Sequence, residues 1–211
     1  MAWVLLAAVL WQSTPARGLD DPPTAKKKYD TFKARVSGGD LTIDWREFRL
    51  AAMVAGVNGG FEWQAARNKA FAELDKKDSK SALADAQSII DHNMANPEGH
   101  IVALMAYQTM GEDQKAQAEL AIVKAIVKSI DDSGDGKTAA TAFFTVDPSE
   151  EYFYINVVLG AKPKSQALSQ QNGHAFDVMT ITDKDGQEQT LWFNTDTDMQ
   201  IMDREMNPKK K

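Results

Sequence analysis

The chain has 211 residues, is 43% hydrophobic and 26% charged, and carries 24 basic against 30 acidic side chains with no cysteine. That composition suits one globular domain or two small ones and is too apolar for wholesale disorder. Without cysteine there are no disulfides, thiolate metal sites or cysteine nucleophiles, and a net charge of −6 argues against nucleic acid or an anionic membrane as the main partner.

In chain order, Ala2 to Trp11 form an apolar run followed by a polar, proline-containing stretch. Ten such residues reach only about 15 Å as a helix, too short to cross a bilayer but suited to the core of a secretory signal. Residues 1–18 are therefore read as a signal peptide and 19–28 as a loose linker. The protein is expected to be exported to the periplasm or beyond, with no membrane span once the signal is removed. From 29 to 131 the spacing predicts helices. Trp45, Phe48, Ala52 and Ala55 share one face, and Asn58-Gly59-Gly60 breaks that helix. Further helices are expected over Glu62–Lys76, Ser79–Met94 and Glu98–Met110, then over a stretch carrying Ala116, Leu120, Val123, Val127 and Ile130. The last two resemble a tetratricopeptide helix pair, with small Ala103 and Ala116 where two helices approach closely.

The pattern changes at Asp131–Gly136, and residues 132–211 are read as an antiparallel β region. Strands are expected at Thr141–Val146, Tyr152–Leu159, Phe176–Thr182 and Glu188–Phe193, with Asp185-Gly186 as a hairpin turn. A short helix over Lys164–Gln170 would join the two strand pairs. The fold class is thus α+β: tetratricopeptide-like helical hairpins packed against a C-terminal antiparallel sheet. The Lys209–Lys211 tail is read as solvated.

Candidate chemistry is sparse. Asp40–Phe48 and Asp131–Ala142 imitate calcium loops but lack essential ligand positions, and Asn194–Glu205 has Met199 at the turn position that favours glycine. His92, His100 and Glu98 suggest a zinc site only if two helix ends face each other. His174 and Asp177 have no serine in a nucleophile context. Glu150 and Glu151, read as strand neighbours, would point to opposite faces and make a poor acid/base pair. No cofactor and no metal is expected.

The segments Asp44-Trp-Arg-Glu-Phe-Arg49, Ser133-Gly-Asp-Gly-Lys137, Glu150-Glu-Tyr152, Gln166-Ala-Leu168, Phe176-Asp177 and Leu191-Trp-Phe-Asn194 occur in an order and spacing that resembles the bacterial domain-of-unknown-function family 4919, over about Tyr29 to Met206. That resemblance implies an exported or envelope-associated protein with no established activity. Within those segments Arg49, Asp135, Glu151, Tyr152 and Gln166 are the candidate binding or scaffold residues. Arg49 is a fixed charge able to hold Glu150, Glu151 or a loop carbonyl and so tie the helices to the sheet. Function is read as a non-catalytic interaction module for a protein or peptide of the bacterial envelope. The alternative is a hydrolase or small-ligand-binding protein using the Asp131–Asp135 loop with Glu150 and Glu151.

Overall fold

The computed structural model describes residues 18–207. The expected signal peptide, apart from Gly18, and the lysine tail lie outside the described residues. Where a loose linker is expected, Asp21 instead caps α1 (Pro22–Ser37). Its carboxylate accepts from the Thr24 N–H at 3.0 Å, and Pro22 and Pro23 occupy the first turn, where a missing N–H costs nothing. Then follow α2 (Trp45–Val54), α3 (Trp63–Asp75), α4 (Ser79–His92), α5 (Pro97–Met110) and α6 (Asp113–Asp131). Asp44, Asp78 and Asn96 cap α2, α4 and α5, and Gly111 ends α5 at φ 72°.

Adjacent helices from α3 to α6 pack in sequence, as the hairpin reading expects. Small side chains make this possible: Ala70, Ala82, Ala86 and Ala103 are buried in one seam with Ile90 and Val102. Gly99 lets α5 approach α4 so closely that a β-carbon would stand 3.0 Å from the Ile89 and Ile90 side chains. A second core joins α1 and α2, through Tyr29, Trp45 and Phe48, to Ala95 and to Ile126 of α6. Burying each large apolar side chain here contributes about 1.5–3 kcal/mol. No helix among the described residues is long and apolar enough to cross a membrane.

The second half contains β1 (Phe143–Phe144), α7 (Pro148–Phe153) running into a π-helical turn (Tyr154–Val158), β2 (Lys162–Gln171), β3 (His174–Thr182), β4 (Glu188–Asn194) and α8 (Asp196–Met206). The sheet order is β1-β4-β3-β2. It is mixed rather than antiparallel throughout, because β1 lies parallel to β4, pairing Phe143 with Phe193. Two expected elements exchange places. Of the expected strand Tyr152–Leu159, all but Leu159 is helical, since Asp147 and Pro148 start a helix ahead of it, and Lys164–Gln170 belongs to a strand, since Asn172-Gly173 turns the chain back into β3. The expected strand at Thr141–Val146 shrinks to two residues for the same reason: the chain is already bending toward α7.

Met179, Ile181, Leu191 and Phe193 point from the sheet onto Ile130 of α6 and onto Tyr154 and Ile155, forming the third core. Gly136 permits the sharp return from α6. It sits at φ 66°, and a β-carbon there would be 2.3 Å from the Phe143 ring. At the far end of the chain, Arg204 of α8 donates to the carbonyls of Asp20 (2.8 Å) and Leu19 (3.2 Å).

Candidate functional site

Four of the five candidate residues converge on α7. The Asp147 carboxylate accepts from the Ser149 (2.7 Å) and Glu150 (3.3 Å) N–H groups, so α7 begins with Glu150 and Glu151 in its first turn. The strand-face reading of these two glutamates is therefore corrected. On a helix they lie 100° apart, and both turn inward, Glu150 toward the helical half and Glu151 toward the sheet.

Glu150 pairs with Arg49 of α2, whose guanidinium is fully buried. Arg49 also donates to Ser129 Oγ at 3.0 Å and, at the long limit of a hydrogen bond, to the Phe144 carbonyl at 3.5 Å. Glu150 accepts a further bond from the Val146 N–H at 3.0 Å. Burial pushes the Glu150 carboxyl upward, while Arg49 and the Val146 amide oppose that push. The arrangement ties α2, α6, β1 and α7 together, the role expected of Arg49. A buried pair of this kind contributes little over an apolar substitute, but removal of one partner is costly.

Glu151 is 0% exposed and, among the described residues, pairs with no cation. Its Oε1 accepts from Thr145 Oγ1 at 3.4 Å, and Oε2 is buried facing no donor. Within hydrogen-bonding reach lies Asp177 of β3, itself 4% exposed. A protonated Glu151 resolves both facts, because its O–H then donates to the Asp177 carboxylate. Burial first, and Asp177 second, push Glu151 up to about 9, so it is neutral at ordinary pH. Asp177 in turn accepts from Gln166 Nε2 at 2.5 Å, and Gln166 Oε1 accepts from the Tyr152 hydroxyl at 3.0 Å. A hydrogen-bonded chain thus runs from exposed Tyr152 and Gln166 on the surface to a neutral carboxyl in the interior. Gln166 thus bridges two side chains, Tyr152 and Asp177.

Asp135 stands apart. Its carboxylate accepts from Thr141 Oγ1 (2.6 Å) and from the Lys137 N–H (3.1 Å); these bonds brace the loop between α6 and β1 and hold its pKa below the ordinary aspartate value. Asp131 accepts from the Tyr154 hydroxyl at 2.6 Å. Neither acid reaches α7's glutamates through these bonds. The histidines are likewise separated. His92 stacks on Phe61 with ring centroids 3.9 Å apart, His100 bonds Glu119 and the Met94 carbonyl, and Glu98 pairs with Arg67. His174 turns to Asp196 (2.5 Å) instead of Asp177. Asp196 also accepts from the Ala175 N–H, and it opens α8 where a calcium-like loop was considered.

Among the described residues, two well-formed surface hollows are lined by neither Glu150 nor Glu151. One, of about 1080 Å³, lies between the start of α1, α8 and the β2–β3 turn; the other, of about 490 Å³, lies beside Trp45 and Ser129. Asp177 was the residue hardest to foresee. It sits three positions from His174 in sequence, and only the pairing of β3 with β2 brings it beneath α7.

No curated protein and no solved structure matches the chain. The family model described as "Domain of unknown function (DUF4919)" matches residues 64–204. That span includes α7, Asp135, Tyr152, Gln166 and Asp177 and stops short of the Asp44–Arg49 segment. With two thirds of its length so matched, including the whole of the Glu151 network, this chain belongs to the DUF4919 family.

Proposed function

We propose that the chain is a non-catalytic protein-interaction module of the bacterial envelope, and that β2 is the edge to which a partner adds a strand. One observation carries this reading. Among the described residues β2 is a ten-residue strand hydrogen-bonded on one side only, exposed along nearly its whole length, with Leu168 70% exposed. Such an edge offers a row of unpaired N–H and C=O groups that a further strand satisfies.

The ionisable groups behind it support a scaffold role. Glu150 is occupied by Arg49, Glu151 by Asp177 and Thr145, Asp131 by Tyr154 and Asp135 by Thr141. Of these, the chain from Glu151 through Asp177 to Gln166 reaches β2 itself. Export rests on the apolar leader, and its direct check is N-terminal sequencing of the secreted form, expected to begin near Leu19.

The interaction is tested by placing a photo-cross-linking residue at Leu168 in producing cells, with Lys124 on the exposed side of α6 as control. A defined adduct from position 168 and none from 124 is the expected result. Equal labelling from both positions, or none from 168, would remove β2 from the reading.

A further inference from the structure

We propose that the strand added to β2 is the β2 of a second copy of this chain, in a two-fold antiparallel pairing centred on Ala167. This rests on the reading of β2 as a strand-adding edge, and it names the partner.

The edge is guarded at one end only. Lys162, Pro163 and Lys164 occupy its start, and the register shifts between Pro163 and Ser165. These are the devices by which sheet edges resist pairing. From Ser165 to Gln171 the sequence is Ser-Gln-Ala-Leu-Ser-Gln-Gln, with no charge, no proline and an unbroken register against β3. Seven residues of open backbone remain, about 23 Å of strand.

This stretch is complementary to itself. In an antiparallel pairing about Ala167, Ser165 faces Ser169 of the other copy and Gln166 faces its Leu168. Lys164 faces Gln170, and Lys162 faces Asn172, so no lysine opposes a lysine. The lysines of each copy arrive at the end of the other's sheet, where Asp196 and Asp198 open α8. Opposed like charges would destabilise the ladder, whereas this register brings unlike ones toward each other.

Packing favours the same register. Gln166 pairs with Met179 and Leu168 with Asp177 across β3, so both side chains stand on the sheet face that carries α7. Each Leu168 then enters beside the other copy's Gln166, the residue already held by exposed Tyr152. The largest exposed apolar side chain of the edge is thereby covered. The helical layer leaves room for this, since β2 is exposed nearly throughout. Two sheets of four strands become one of eight, closed by an isologous contact that cannot propagate into a fibre.

Because the chain has no cysteine of its own, single-cysteine variants report the register directly. Residues 19–211 are expected to sediment at twice the protomer mass at about 100 µM. Ala167→Cys alone is expected to form a disulfide dimer under mild oxidation. Ser165→Cys alone is not, while a mixture of Ser165→Cys and Ser169→Cys is. Leu168→Lys should restore the protomer mass without altering the melting profile of dilute protein. A protomer mass throughout the concentration range overturns the proposal, as does a dimer that survives Leu168→Lys without Ala167→Cys cross-linking. A monomer that still gives the Leu168 photo-adduct with a different protein refutes self-pairing and leaves the strand-adding edge intact.

Discussion

Glu151 is stable in its place only as a neutral acid, and this makes the fold sensitive to alkali. Its folded value, raised to about 9, stands above the ordinary 4.5 of a glutamate. A raised value means that the folded state binds the proton more tightly. The contribution is therefore fully present below about 4.5 and is lost as pH climbs through 9, at no more than about 1.4 kcal/mol per pH unit. Glu151→Gln keeps a donor for Asp177 and an acceptor for Thr145 but cannot ionise. Its urea midpoint is expected to match the parent near pH 4 and to exceed it by a growing margin as pH rises from there to 9. Glu151→Ala should lose about 2 kcal/mol near pH 4, because Asp177 and Thr145 each lose a hydrogen-bond partner. Arg49 makes the opposite case, a charge that must stay. Arg49→Met strands Glu150 in the interior and should cost about 3–5 kcal/mol, most of it recovered in the Arg49→Met, Glu150→Gln double variant.

Among the elements, α7 shows how competing local signals are resolved. Tyr152–Leu159 is rich in aromatic and β-branched residues and reads as a strand, yet Asp147-Pro148 supplies a cap and a first-turn proline that start a helix. Replacing Asp147 by Ala should cost about 1 kcal/mol by uncapping α7, with Asp147→Asn near neutral, since asparagine caps as well and removes a negative charge that weighs on Glu151 and Asp198. Chemical denaturation of the two variants separates cap from charge.

β2 was illegible for the complementary reason. Its residues have weak strand preference, and what makes it a strand is its partner β3, reached through Asn172-Gly173 with both residues at positive φ. That dipeptide was the available signal. The helical hairpins were legible because their alanines recur at helical spacing and meet as read. Arg49, Glu151, Tyr152 and Gln166 were legible one by one from their motif segments. Their assembly was not, because it depends on α7 being a helix and on β3 carrying Asp177 beneath it.

For the molecule as a whole, the folded unit is larger than the stretch matched by the family model. Residues 64–204 exclude α1 and α2, yet Tyr29, Trp45 and Phe48 cover Ile126 and Ala95, and Arg49 neutralises Glu150. A fragment beginning at Gln64 should therefore expose apolar surface, bind a hydrophobic dye and melt without cooperativity, whereas residues 19–207 should melt in one transition.

Arg204 has a consequence of a different sort. By gripping the Leu19 and Asp20 carbonyls it brings together backbone that is 184 and 185 positions apart along the chain. A ring could thus be sewn across that seam with a short linker and cut afresh at the exposed Lys184-Asp185 turn, leaving every strand ladder in place while β4 emerges first.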